Sequence, residues 1–229
     1  QEILNVLART AKIPAALLMR VHREQIEGFA ASENPDNVYR KGATEHLGCG
    51  LYCETVVGRR EGLLVPDATR DPLWTDNPDV PLGMISYYGE PVTWPDGSIF
   101  GTLCILDRKE NAYNEDIFDL VAALRGSIEA DLSLQVSQAR LEEADRINRA
   151  FLEGSRAVFE CDSFETAARR IFDACGRATG AVSGYVALLS RNGTENEVLF
   201  LESGGLPCAV DPSLPMPIRG LRADAYAAG

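Results

Sequence analysis

Residues 83–109, GMISYYGEPVTWPDGSIFGTLCILDRK, hold two apolar segments separated by a tight turn. Pro95 presets φ for the turn, Asp96 tolerates its next position, and Gly97 supplies the positive φ that closes it. A half-exposed strand alternates apolar and polar residues. Here Ile85, Tyr87 and Val92 are answered by Phe100, Leu103, Ile105 and Leu106, so nearly every position is apolar. Such a hairpin needs cover on both faces and belongs in the middle of a sheet. Because both faces are apolar and a one-residue slip exchanges them, the pattern leaves open which residues face which layer.

The remaining segments supply the covers. Ile3, Leu4, Leu7 and Ala8 recur at helical spacing over Glu2 to Ala11, and Ile13-Pro14 stops that helix. Ala15 to Val21 and Ile26 to Ala31 read as an antiparallel strand pair. Ser32 to Gly50 reads as loop. Leu51 to Val57 is a short helix and Leu63 to Val65 a short strand. Asp71 with Pro72 caps a short helix carrying Leu73 and Trp74. Asn114 caps a long helix whose stripe is Ile117, Leu120, Val121, Leu124, Ile128 and Leu132. Beyond Leu134 the sequence turns polar, yet Val136, Leu141, Ala144, Ile147 and Phe151 keep a loose apolar seam, as expected of a helix that pairs with its copy in a second subunit.

A helix, a strand, a turn and a strand then recur over Ser163–Ser203, with Asn192-Gly193 as the hairpin signal. The copy runs into a Pro-rich stretch and lacks its own central hairpin. The expected organisation is a complete unit over 1–134, a connecting helix over 135–160 and the first part of a second unit over 161–229. The chain opens on QEILNVLART without Met and with no signal-peptide pattern, as expected of a segment of a longer protein.

Composition narrows the partners. The formal net charge is −12, from 22 Lys and Arg against 34 Asp and Glu. That surface repels nucleic acid and anionic membranes, and no apolar run is long enough for a membrane helix. The 6 Cys and 2 His show no metal-ligand spacing. Reduced thiols in a cytoplasmic protein are the expectation.

In order, GLYCETVV, LLVPDATRDPLWTDNPDV and YYGEPVTWPDGSIFGTLCILDRK resemble the GAF domain, a small sensory module related to PAS. The most specific parts are the Asp-x-x-x-Asp-Pro-x-Trp run over 67–74 and the hairpin with its Pro-Asp-Gly turn. The resemblance covers about Glu2 to Leu134, and LPMPIRGLRADAYAAG resembles the approach to a pocket helix in a second such domain. It implies an α+β sandwich: a central antiparallel sheet with the N- and C-terminal helices on one face, and loops and short helices around a small-molecule cavity on the other. It further implies a tandem sensory region of a bacterial signalling protein such as a histidine kinase or diguanylate cyclase. The output domain would lie outside this chain, which would itself be no enzyme.

On that basis the expected cavity residues are Tyr52, Cys53, Asp67, Trp74, Met84, Tyr87 and Cys104. The ligand is an unidentified small molecule, no cofactor is named, and the expected partner is a second copy through the long helix. A Cys-His dipeptide for bilin attachment is absent, as is the Asn-Lys and Phe…Asp-Glu signature of cyclic-nucleotide domains. Haem through His22 or His46 would rest on a lone histidine. Two other classes remain: a structural dimerisation or spacer domain, and a cysteine redox enzyme of the methionine sulfoxide reductase type, for which Cys49 beside His46 is the best pair.

Overall fold

The structure is a computed structural model and describes residues 1–205, 216–218, 224 and 228. The Pro-rich stretch read as the approach to a second pocket helix falls mostly outside them. The chain divides into two compact units, Gln1–Ser137 and Gln138–Gly229.

The first unit is organised around a six-stranded antiparallel sheet. Its strands are β1 (Ala15–Val21), β2 (Gln25–Ala31), β3 (Thr44–His46), β4 (Leu63–Val65), β5 (Ser86–Thr93) and β6 (Ile99–Asp107). Their order across the sheet is β3-β2-β1-β6-β5-β4. The apolar hairpin is therefore β5 and β6, both interior. At its turn Gly97 has φ 80°, its N–H bonds the Trp94 carbonyl at 2.9 Å, and Trp94 N–H bonds the Ser98 carbonyl at 2.8 Å.

Which face meets which layer is settled by register. On one face Ala16, Leu18, Tyr88, Val92, Phe100, Leu103 and Ile105 pack with Leu4, Leu7 and Ala8 of α1 (Glu2–Ala11) and with Val121 and Leu132 of α3 (Glu115–Glu160). On the other, Ala15, Leu17, Tyr87, Cys104 and Leu106 pack with Tyr52, Cys53 and Val56 of α2 (Tyr52–Arg59) and with Met84. Phe100 breaks the alternation of β6. Val92 pairs with Gly101 but Thr93 pairs with Ile99, so Phe100 is a bulged extra residue and joins the helix layer. Gly101 is required beside it: a Cβ there would lie 1.7 Å from the Met19 carbonyl oxygen.

Two local expectations are corrected. Asp71 to Trp74 form a single turn and no helix. Asp71 Oδ1 accepts from Leu73 N–H at 3.0 Å, and Asn77-Pro78 follows too soon for a second turn. The segment 32–50 is not all loop. It contains β3, an exposed edge strand paired with β2 through Gln25 and His46. The N-cap at Asn114 is present, its Oδ1 accepting from Ile117 N–H at 3.1 Å. The helix it starts runs unbroken through Glu160, and the division between the two units falls within it.

In the second unit α4 (Phe164–Thr179) is capped by Ser163, whose Oγ accepts from Thr166 N–H at 3.2 Å. It packs on a small sheet of β7 (Gly184–Leu189), β8 (Glu195–Glu202) and β9 (Met216–Pro217), with Phe172 edge-on to Phe200.

Candidate functional site

A cavity of about 340 Å³ opens on the sheet face opposite α1 and α3. Leu17, Met19 and Ile26 form part of its floor, joined by Tyr87, Cys104 and Leu106. Leu51, the N-cap of α2, and Cys53 within it form one wall. Irregular segments close it, Val38, Tyr39 and Arg40 from one side and Pro78, Asp79 and Leu82 from the other, with Glu45 of β3 also in the lining.

The polar groups converge on Asp79. Tyr39 Oη donates to Asp79 Oδ1 at 2.6 Å, forty positions away in sequence. Asn77 Oδ1 accepts from Asp79 N–H at 2.9 Å, and Asn77 Nδ2 donates to the Gly50 carbonyl at 2.8 Å. The Asp79 carbonyl accepts from Leu82 and Met84 N–H groups, both at 3.1 Å. The turn from Asn77 to Met84 is thus built around this residue. Burial pushes the Asp79 carboxyl up and the charge of Glu45 adds to this, while the Tyr39 hydrogen bond opposes them. Burial also pushes the Tyr39 phenol up, reinforced by the Asp79 charge. Arg40 Nη1 donates to the carbonyl oxygens of Asn37 and Tyr39, which hold it to its own loop.

The seven residues expected at the site divide. Cys53, Tyr87 and Cys104 line the cavity. Tyr52, Trp74 and Met84 sit in the packing behind it, in the same apolar cluster. Tyr52 stacks on Tyr87 with centroids 4.7 Å apart and leans on Trp74 at 5.1 Å. Its buried hydroxyl has no hydrogen-bond partner among the described residues. Asp67 caps a 3-10 turn, accepting from Thr69 N–H at 3.0 Å and from its hydroxyl at 2.6 Å. Tyr39, Arg40 and Asp79 are cavity residues that the sequence reading missed. The signal available was weak: an aromatic and an acid in stretches with no periodicity.

The sulfurs of Cys53 and Cys104 are 3.9 Å apart, and Tyr87 Oη is 3.5 Å from Cys53 Sγ. Cys49 and His46 do not form a nucleophile and base. Cys49 Sγ donates to the His46 backbone carbonyl at 3.0 Å. Desolvation and the neighbouring Glu54 carboxylate push its thiol up, whereas a reactive cysteine needs its thiolate favoured. Neither histidine lines the cavity. His22 Nε2 lies 2.8 Å from Glu27 Oε2, and His46 lies on the exposed β3. No group of described His, Cys, Asp or Glu residues has the arrangement of a metal site, and no described helix is long and apolar enough to cross a membrane.

A central antiparallel sheet, with helices on one face and a loop-enclosed cavity on the other, defines a small α+β sandwich domain. Residues 1–129 match the family described as GAF domain, and the chain belongs to that family. Among solved structures, the bacteriophytochrome RpBphP3 from the photosynthetic bacterium R. palustris is similar with TM-score 0.59 and 8% identity, over 79% of this chain and 42% of that one. The phytochrome photosensory core module of Stigmatella aurantiaca gives 0.56 and 10%, over 82% and 43%. The GAF domain from an Acinetobacter phosphoenolpyruvate-protein phosphotransferase gives 0.46 and 14%, over 60% and 82%. The chain thus spans less than half of either phytochrome structure. No curated protein sequence matches it.

Proposed function

We propose that the first unit is a noncatalytic sensor that binds a small, mostly apolar ligand in the cavity and passes its occupancy through the sheet to α3. The reading is carried by one observation: a single buried carboxyl, Asp79, faces an otherwise largely apolar cavity. A well-formed apolar pocket with a few convergent polar groups is the usual form of a ligand site. Tyr39 occupies Oδ1 of Asp79, which leaves Oδ2 to accept from the ligand. The ligand class is therefore an apolar molecule bearing an N–H or cationic donor, and Asp79 fixes its orientation.

The relay needs a ligand that binds two states of the domain differently. Tyr87, Cys104 and Leu106 face the cavity on the strands whose alternate residues, Tyr88, Leu103 and Ile105, face α1 and α3. In this reading the chain works as a homodimer paired along α3, within a bacterial cytoplasmic histidine kinase or diguanylate cyclase. The second unit is part of a second GAF-like domain. Leu141 and Phe151 on α3 are 70% and 74% exposed, which suits a helix with a partner.

Native mass spectrometry of the purified chain, before and after organic extraction, tests the reading. The expected result is a dimer carrying a releasable small molecule that is lost in Asp79→Asn. A chain with no retained molecule, and no rise in Tm across a metabolite panel of amines and N-heterocycles, supports a structural spacer instead.

A further inference from the structure

Cys53 on α2 and Cys104 on β6 bring two sulfurs to 3.9 Å on the cavity wall. Their surroundings differ. Cys53 Sγ accepts from Thr102 Oγ1 at 3.2 Å, has Tyr87 Oη at 3.5 Å, and has Cys104 as a third neighbour. Donors around a sulfur favour its thiolate. Cys104, sharing its contact with Cys53, keeps its proton. The directions of the two thiols agree: the hydrogen bond from Cys104, then those from Thr102 and Tyr87, outweigh burial and bring Cys53 down, while the same contact and burial push Cys104 well up. The pair therefore has one sulfur suited to attack first; once it is oxidised, the Cys53 charge that helps hold the Cys104 proton is gone, and Cys104 is the thiol within reach at 3.9 Å. The cavity mouth is bordered by the exposed Val38 and Leu82, and of the two cysteines only Cys53 keeps any accessible surface, so it is the one an entering peroxide meets.

We propose that Cys53 and Cys104 are a peroxide-reactive dithiol that closes to an intramolecular disulfide. The Cys53 thiolate attacks one oxygen of hydrogen peroxide. The O–O bond breaks, and the departing hydroxide takes up the proton that Cys53 released on forming its thiolate and leaves as water, giving a sulfenic acid. Cys104 sulfur then attacks Cys53 sulfur. The S–S bond forms, the S–O bond breaks, and the leaving hydroxide takes the Cys104 proton as a second water. Two thiols are oxidised and one peroxide is reduced to two waters. A disulfide bond is about 2.05 Å long, so closure draws α2 and β6 together at the cavity wall. This chemistry needs no resident ligand and stands apart from the sensor reading above.

The test uses the full chain, reduced, freed of reductant without air and titrated with hydrogen peroxide. Intact mass should fall by two hydrogens, proteolytic mapping should join Cys53 to Cys104, and dithiothreitol should reverse both. Cys49→Ser should react like the native protein. Cys104→Ser should stop at a sulfenic acid trapped by dimedone. Thr102→Val removes one donor to the Cys53 thiolate at nearly constant shape and should slow thiol loss about tenfold. Cys53 and Cys104 remaining reduced while Cys49 is consumed, a disulfide between any other pair, or a native rate in Thr102→Val would overturn the proposal. The mapping is done on the unsubstituted protein, so a variant that fails to fold does not remove the test.

Discussion

Arg125 of α3 donates from Nη1 to Glu90 Oε2 of β5 at 2.7 Å, tying the helix to the sheet of the first unit. Tyr88 Oη donates to the other carboxylate oxygen of Glu90, also at 2.7 Å. One carboxylate thus holds a helix cation and a strand phenol. Glu90→Ala leaves both donors without their acceptor in a half-buried site, and should cost about 2 kcal/mol in urea denaturation. Glu90→Gln keeps an acceptor for Tyr88 and should cost less. Equal losses in the two variants would mean that the charge accounts for the whole effect and the acceptor kept for Tyr88 contributes nothing.

Asp79 sets a pH dependence. Burial, aided by Glu45, raises its pKa in the folded state despite the Tyr39 hydrogen bond. The folded protein therefore holds this proton more tightly than the unfolded chain. The contribution to stability is fully present below the ordinary carboxylate value and is lost as pH rises through the raised value. Asp79→Asn keeps an acceptor for Tyr39 and removes the titration. The stability of the variant relative to the native protein should grow from about pH 4 towards neutrality, by thermal denaturation across that range. A constant difference across the range would contradict the buried, raised carboxyl.

Gly89 makes room for a side chain two residues earlier. A Cβ on Gly89 would lie 2.1 Å from Tyr87 Oη and 2.6 Å from its Cζ, so the Tyr87 ring lies over the glycine. Gly89→Ala must move the ring off Tyr52 and away from Cys53. The expected result is a loss of about 1–3 kcal/mol and a changed near-UV circular dichroism spectrum, with the far-UV spectrum retained. An unchanged near-UV spectrum would show that the ring can stay.

On α3, Leu134, Leu141, Phe151 and Val158 are exposed at spacings of whole or part heptads, with Asn148 on the same seam. If the helix pairs with its copy, Leu141→Glu combined with Phe151→Glu should convert a dimer to a monomer in analytical ultracentrifugation. The thermal stability of the first unit should be unaffected. A native chain that sediments as a monomer at high concentration would end the pairing proposal.

The sheet was legible because its strands carry strong patterns: β1, β2, β5 and β6 are dense in apolar residues, and Pro95-Asp96-Gly97 marks one turn. The long helix announced itself through Asn114 and the stripe from Ile117 to Leu132. β3 did not, because Thr44, Glu45 and His46 are all exposed and have no buried face to leave a period. The faces of β5 and β6 could not be assigned from two apolar sides, and the bulge at Phe100 shifts the parity further. Three cavity residues, Cys53, Tyr87 and Cys104, lie on regular elements and were within reach of the sequence. Tyr39 and Asp79 were not. They lie on irregular segments that only the folded chain brings to 2.6 Å.

Tyr87 and Tyr88 are neighbours in sequence with opposite allegiances. The first stacks on Tyr52 beside the cavity, and the second lies 4.6 Å from the ring of Phe118 on α3. A single peptide unit separates the two layers at this point. In the relay proposed above, tilting that peptide to suit one tyrosine would displace the other, as a rocker moves two arms about one pivot. On that proposal, a substitution that enlarges the chamber near Tyr87 is expected to reseat Phe118 as well.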